Sequence, residues 1–153
     1  MHYFAYGSNM LKNRLENQEN RVTPKIGSVI DKGAAKLSGY KITFNKLSAL
    51  DGSGKTNIIQ DEEAIVWGVI YELAYDQIER LDRIEKGYKR IPIVVDYNNE
   101  QIEVDTYLAT EDYVQENLFP TTEYLELLIQ GAKEHNFSQD YQVFLENITC
   151  VSK

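Results

Sequence analysis

Strand and helix patterns do not alternate regularly along this chain, and their order limits the fold. They follow one another as β-α-β-β-β-α-β-β-α-α. Regular alternation is typical of doubly wound parallel sheets, whereas consecutive strands form mixed or antiparallel ones. The order therefore predicts an α+β fold, a small mixed or antiparallel β-barrel-like sheet flanked by helices. No linker or change of composition divides the chain, so we expect a single domain over residues 1–153.

The predicted strands are short apolar runs bounded by turn residues. The strongest is AIVWGVIYEL, in which Gly68 indicates a bulge or a close backbone contact. Two further strands are expected between Ile26 and Phe44, with Gly33 and Gly39 as their boundaries. The remaining strands are Tyr3–Tyr6 and a hairpin of Ile91–Tyr97 and Ile102–Leu108.

Four helices are predicted from apolar periodicity and from residues suited to helix ends. Ser8 is expected to cap a helix of about two turns, and Ser138 the last helix. Thr121 or Thr122 precedes a long amphipathic helix. Tyr75–Glu85 is the fourth, with Gly87 as its C-terminal stop.

Composition excludes several classes of partner and site. The net charge is −8, and no basic patch offsets it, so nucleic acid and membrane surfaces are not expected to bind. A lone Cys150 and the absence of a leader or a long apolar run predict a cytoplasmic protein. His2 and His135 lie in no metal-ligand spacing, so we expect no metal.

Glu85 is the most informative residue of the helix DQIERLDRIEKG. At 100° per residue it lies on the same stripe as Ile78 and Leu81. Burial and the negative end of the helix dipole would both raise its pKa, toward the range in which a general acid or base works at neutral pH. Alternatively, Glu85 reaches solvent or pairs with a nearby base, namely Arg83, Lys86, Lys89 or Arg90.

The segment DGSGKT at Asp51–Thr56 is similar to part of a phosphate-binding loop. That loop needs G-x-x-x-x-G-K-[ST] followed by a helix, but Ala49 occupies the place of the first glycine. The residues after Thr56 indicate strand and turn. We therefore predict a flexible hairpin loop, with nucleotide binding through Gly54–Thr56 as an alternative hypothesis.

The chain resembles the gamma-glutamylcyclotransferase family in a series of motifs that spans nearly its whole length. The series begins with FAYGSNM at Phe4–Met10 and LDRIEKG at Leu81–Gly87. The other matches are the GKT of Gly54–Thr56, VWGVIYEL, the pair Tyr107-Leu108 and the segment Tyr124–Leu145. FAYGSN is a specific signature of that family.

This resemblance implies cofactor-free cyclisation of gamma-glutamyl amino acids or gamma-glutamylamines, releasing 5-oxoproline. It places the chain among lyases or acyltransferases of glutathione metabolism. By the family pattern, Glu85 is the acid/base, and Tyr6, Gly7, Ser8 and Asn9 form the substrate loop. Tyr88, Tyr107 and Tyr124 are then pocket tyrosines. A Gly7–Asn9 turn at a helix start would offer free backbone N–H groups to a carboxylate or an oxyanion.

Two alternatives for the site remain beside nucleotide binding. Relatives usually carry Glu-Gly where this chain has Glu85-Lys86-Gly87, and a non-catalytic binder of small glutamyl-like anions would keep the same pocket. Ser8 as a nucleophile is a weaker hypothesis, because no basic partner for it is evident. The expected partner is a small gamma-glutamyl molecule, and the sequence does not determine the identity of its leaving amine. The many tyrosines leave room for a homodimer surface.

Overall fold

The computed structural model describes residues 1–152. It contains five strands, four α-helices and two short 3-10 turns, at Ser8–Met10 and Glu111–Tyr113. The strands are β1 (His2–Ala5), β2 (Ile30–Leu47), β3 (Gly54–Glu72), β4 (Tyr88–Tyr97) and β5 (Glu100–Ala109). The helices are α1 (Lys12–Glu16), α2 (Tyr75–Ile84), α3 (Thr122–Glu134) and α4 (Gln139–Glu146).

The five strands close into a barrel in the order β1-β3-β2-β4-β5. β1 runs parallel to β5, whereas the other strand pairs are antiparallel. The predicted α+β fold with a mixed, barrel-like sheet is therefore confirmed. The predicted β4–β5 hairpin is also confirmed, and it turns through Asn98 and Asn99, whose φ angles of 49° and 64° suit a tight hairpin turn.

The prediction of two strands between Ile26 and Phe44 is wrong, because one 18-residue strand, β2, covers most of this range. Gly33 and Gly39 lie beside shifts in the β2–β3 register and have positive φ angles. They are therefore bulges that bend one continuous strand, which helps a small barrel to close. From sequence alone, a glycine at a bulge resembles a glycine at a strand end.

Gly68 brings β1 close to β3. A Cβ atom built at this glycine would lie 2.5 Å from Cζ of Phe4 and 2.6 Å from the Ala5 carbonyl oxygen. The register around the Ala35–Gly68 pair is unshifted, so the predicted close contact, not the bulge, is what the structure contains. This packing fixes the end of β1, from which the Gly7–Asn9 turn begins.

The predicted caps of α3 and α4 are confirmed, but the Ser8 cap is wrong. Thr121 and Ser138 accept hydrogen bonds from backbone N–H groups, whereas the Ser8 side chain caps nothing. Ser8–Met10 is a single 3-10 turn, and α1 starts only at Lys12. The Tyr71 hydroxyl donates to the Met10 carbonyl at 2.6 Å. In a helix that started at Ser8, this carbonyl would instead accept a hydrogen bond from a backbone N–H of the next turn.

The core lies inside the barrel and under the helices that cover it. Leu128 of α3 and Ile78 and Leu81 of α2 are fully buried against it. Within residues 1–152, no helix combines the length and the apolar character needed to cross a membrane.

Candidate active site

Glu85 lies where α2 ends and the chain turns into β4. The helix stops at Ile84, one residue before the predicted end, and Glu85 takes a non-helical conformation while its N–H donates to the Leu81 carbonyl at 2.9 Å. Gly87 then adopts a φ of +83°, which reverses the chain. Ile78 and Leu81 are fully buried and anchor the helix against the core, which fixes the position of its end and of Glu85.

Asn9 connects this carboxylate to the turn after β1. Its Nδ2 donates to Oε1 of Glu85 at 2.9 Å and to the Tyr3 hydroxyl at 3.0 Å. Its Oδ1 accepts a hydrogen bond from Nε2 of Gln18. Because both ends of the amide have partners, its orientation is determined. Sequence reasoning missed Tyr3 and Gln18, which carry no motif of their own.

The 3-10 turn at Ser8–Met10 supplies hydrogen-bond donors next to Asn9. Within residues 1–152, the backbone N–H groups of Ser8 and Asn9 have no acceptor, as expected for the first residues of such a turn. The free N–H groups expected of this turn are thus present, although a 3-10 turn and not a helix start provides them, and anion binding by the turn stays a prediction.

One small cavity of about 50 Å³ unites all eight residues predicted for the site. Two more residues line it, Tyr3 and Thr56. The complete lining comprises Tyr3, Tyr6, Gly7, Ser8, Asn9, Thr56, Glu85, Tyr88, Tyr107 and Tyr124. Glu85 and the Gly7–Asn9 turn therefore face the same space, despite the distance between them in the sequence.

Thr56 holds two of the cavity tyrosines. Its backbone N–H donates to the Tyr124 hydroxyl at 3.3 Å, its Oγ1 is hydrogen-bonded to the same hydroxyl at 2.9 Å, and its carbonyl accepts from the Tyr88 hydroxyl at 2.7 Å. The expectation of a flexible loop over Asp51–Thr56 is therefore wrong for Gly54–Thr56, which begins β3. No helix follows this segment, so it lacks the phosphate-loop geometry. The GKT motif was the signal that could have identified Thr56.

Tyr107 is fixed by a charged network outside the cavity. Its hydroxyl donates to Oδ1 of Asp82 at 2.6 Å, and Arg90 makes two hydrogen bonds to Asp82 and one to Asp105. Within the cavity its ring packs edge-on against Tyr3, with 5.6 Å between ring centroids. The Tyr6 hydroxyl also donates to the Tyr107 carbonyl at 2.5 Å.

Burial raises the pKa of Glu85, a half-buried residue that lines the cavity. The hydrogen bond from Asn9 and the charges of Lys46 and Arg14 lower it again in part. None of the four bases near Glu85 in sequence acts on it, and Arg90 is instead paired with two aspartates. The cations that lower its pKa, Lys46 and Arg14, belong to other elements, and proximity in the sequence could not have identified them.

Burial also raises the pKa of each cavity tyrosine, so these hydroxyls stay neutral at physiological pH. Among residues 1–152, no three His, Cys, Asp and Glu side chains are grouped to hold a metal ion. The cavity thus combines one carboxylate suited to proton transfer, two backbone donors and a neutral aromatic wall. Such a set can move a proton and stabilise a developing oxyanion.

Comparisons with known proteins identify the same family as the motifs. The model of the AIG2-like family matches residues 65–145, which is more than half of the chain and includes Glu85, Tyr88, Tyr107 and Tyr124. The Gly7–Asn9 turn lies outside that match and is covered only by full-length comparisons.

Two curated relatives and one solved structure extend the similarity to nearly the whole chain. Mouse gamma-glutamylcyclotransferase is 28% identical over 95% of this chain and 77% of its own length, and the bovine protein is 27% identical with the same coverage. A solved gamma-glutamyl cyclotransferase superposes with a TM-score of 0.85 at 27% identity, over 99% of this chain and 89% of that one.

Proposed function

Since the chain belongs to the AIG2-like family, we propose that it is a gamma-glutamylcyclotransferase that cyclises gamma-glutamyl amino acids or gamma-glutamylamines without a cofactor. The products are 5-oxoproline and the released amino acid or amine. The observation that carries the proposal is the 2.9 Å hydrogen bond between Asn9 and Glu85, beside a cavity that both residues and Ser8 line.

In the proposed reaction the substrate supplies its own nucleophile. Its α-amine attacks its γ-carbonyl carbon, a C–N bond forms, and the carbonyl oxygen becomes an oxyanion. Glu85 accepts the proton that the amine loses. It then returns this proton to the leaving nitrogen as the original amide bond breaks, so the carboxylate is regenerated and nothing is oxidised or reduced.

The other groups have positioning and electrostatic roles in this proposal. The N–H groups of Ser8 and Asn9 donate to the oxyanion. These hydrogen bonds are stronger in the transition state than in the substrate, because negative charge has developed on the oxygen. The neutral tyrosines Tyr6, Tyr88, Tyr107 and Tyr124 hold the glutamyl chain in a folded conformer, which brings the amine to the carbonyl. Gly7 allows the backbone to approach the substrate closely. Ser8 needs no role as a nucleophile, since no base contacts it.

The raised pKa of Glu85 supports its role as both base and acid. A carboxylate of ordinary pKa is a poor base for an amine, whereas one in an enclosed site binds a proton more readily. The hydrogen bond from Asn9 and the nearby cations oppose this effect only in part. The environment therefore suits a group that must exchange a proton in both directions.

The test is release of 5-oxoproline from a panel of gamma-glutamyl amino acids and gamma-glutamylamines. We expect turnover by the unmodified protein and a loss of at least about 100-fold in kcat for Glu85→Gln. Glu79→Gln, on the same helix but outside the cavity, is the matched control and should keep full activity. Equal rates for Glu85→Gln and the unmodified protein would exclude the proposed role of Glu85.

The second candidate function is non-catalytic binding of small glutamyl-like anions. The small cavity volume favours it, because about 50 Å³ admits a carboxylate more readily than a dipeptide. Calorimetry with 5-oxoproline and glutamate separates the two functions. Binding without turnover of any compound in the panel would favour the anion binder over the enzyme.

A further inference from the structure

Two lysines beside the candidate active site face each other without a counter-ion. Lys46 at the end of β2 and Lys55 at the start of β3 are direct partners in the antiparallel ladder. Like charges in this arrangement destabilise a sheet. Although the chain has 24 acidic residues, neither lysine forms an ion pair with a carboxylate within residues 1–152.

Each of these ammonium groups lies against a tyrosine that lines the cavity. The Nζ atom of Lys46 is 5.1 Å from the ring centroid of Tyr88, and that of Lys55 is 4.2 Å from the ring centroid of Tyr124. Lys46 also lies 5.3 Å from the ring of Tyr113 and is only 8% exposed. The aromatic rings hold the two charges in place, at the periphery of the cavity and not inside it.

A buried ammonium group is costly unless an anion or strong acceptors compensate it. The nearest carboxylates act on these lysines only at longer range: Glu85 on Lys46, and Asp51 on Lys55. Burial lowers the pKa of both lysines, which agrees with the lack of a compensating contact. The pair therefore has unused capacity for an anion.

The cavity volume indicates where such an anion would come from. At about 50 Å³ the cavity is far smaller than the several hundred Å³ of typical ligand pockets, so a bound gamma-glutamyl compound must extend beyond it. If the glutamyl part occupies the space beside Glu85, the leaving part lies toward the periphery. Tyr88 and Tyr124, the tyrosines that the two lysines contact, both belong to the lining of this cavity.

We propose that Lys46, together with Lys55, is a specificity-determining residue that binds a carboxylate on the leaving part of the substrate. This inference rests on the proposed function and concerns only the choice among gamma-glutamyl compounds. A charge-assisted hydrogen bond from a preordered ammonium would favour substrates that release an anionic amino acid or peptide. Substrates that release a simple amine would lack this contact and leave the lysine pair uncompensated.

The test compares two substrates that differ only by the carboxylate, gamma-glutamyl-alanine and gamma-glutamyl-ethylamine. We expect the unmodified protein to show a kcat/KM about tenfold or more higher for the alanine compound. Lys46→Met keeps an unbranched apolar stem over the tyrosines but removes the charge. It should lower kcat/KM for the alanine compound about tenfold more than for the ethylamine compound, because the effect of the lost charge on the pKa of Glu85 is common to both substrates.

Three further variants separate charge from packing. Lys46→Arg retains the charge and should retain most of the discrimination, whereas Lys55→Met should reduce it to a smaller extent. Lys41→Met, at an exposed position of the same strand, should change neither rate. Thermal unfolding of each variant identifies any that are misfolded.

Two results would overturn the inference while the proposed function stands: equal kcat/KM values for both substrates in the unmodified protein, or equal losses for both in Lys46→Met. In the second case Lys46 acts only through the tyrosine wall or the pKa of Glu85, and not on the leaving part of the substrate. Failure of the unmodified protein to release 5-oxoproline from either compound, or from any other in the panel, would reject the proposed function and this inference with it.

Discussion

The side-chain amide of Asn9 donates to the carboxylate of Glu85 across 2.9 Å, although the two residues are 76 positions apart in the chain. Asn9 follows the strand β1, and Glu85 precedes the strand β4. Closure of the barrel brings the two turns together at one cavity. This hydrogen bond also lowers the pKa of Glu85, against the stronger effect of burial.

Replacing Asn9 with alanine should therefore alter both the rate and its pH dependence. Without the amide donor the pKa of Glu85 rises further, so a higher pH is needed to ionise the base. We expect kcat/KM to fall about 10- to 100-fold and the acidic limb of its pH profile to move to higher pH. The measurement is 5-oxoproline release between about pH 5 and pH 9. Asn13→Ala, at an exposed position of α1, serves as the reference, and an unmoved acidic limb in Asn9→Ala would contradict the assignment.

Glu85→Gln should stabilise the protein at neutral pH while it abolishes activity. Because the pKa of Glu85 is raised in the folded state, the stability that its protonated form provides is present at acidic pH and is lost as the pH rises through the folded-state pKa. Glutamine cannot ionise and avoids this loss. We expect the free energy of unfolding to rise by about 1 kcal/mol at about pH 8 and by much less at about pH 4, as measured by urea unfolding. A variant less stable than the unmodified protein at both pH values would disprove this account.

Asp82 should matter through Tyr107, which it holds from outside the cavity. Asp82→Ala removes the acceptor of the Tyr107 hydroxyl and one partner of Arg90, and we expect it to cost about 1–2 kcal/mol of stability and to lower kcat/KM several-fold. Tyr107→Phe loses the same hydrogen bond, so the double variant should cost about 1 kcal/mol less than the sum of the single ones.

A matched control for Asp82 lies on the same helix. Asp76 pairs with Arg80 at 3.1 Å but its side chain is 65% exposed, so Asp76→Ala should change stability by no more than about 0.5 kcal/mol. Strict additivity of Asp82→Ala and Tyr107→Phe in urea unfolding would mean that the two side chains act independently.

Gly7 should not tolerate even a methyl group. A Cβ atom at this position would overlap Oγ1 of Thr56 and lie 3.3 Å from the Tyr124 hydroxyl. We expect Gly7→Ala to cost about 1–3 kcal/mol and to lower kcat about 100-fold, since the turn must move away from Glu85. Thr56→Ala removes the overlapping oxygen, so adding Gly7→Ala to that variant should cost less than it does alone. The same cost in both backgrounds, measured by thermal unfolding, would refute steric overlap as the cause.

The local pattern of the sequence was sufficient for the fold class and for most of the elements, although it divided β2 in two and began α1 too early. Short apolar runs identified the other strands, and the caps Thr121 and Ser138 marked where α3 and α4 begin. Periodicity also aligned Glu85 with the buried residues Ile78 and Leu81, and the structure has it directly after the end of α2. These features depend on residues within a few positions of one another, and the chain carries that information directly.

The tertiary structure decided those features of the fold and the site that depend on long-range contacts. The bulges at Gly33 and Gly39 depend on the pairing of β2 with β3, and the 3-10 turn at Ser8–Met10 ends at a carbonyl that accepts a hydrogen bond from Tyr71 of β3. The partners of Glu85, namely Asn9, Lys46 and Arg14, come from three separate segments. Local periodicity could suggest that Glu85 faces inward, but closure of the barrel selects which distant groups set its pKa. The reason is that electrostatic and hydrogen-bond energies depend on distance in space and not on separation along the chain.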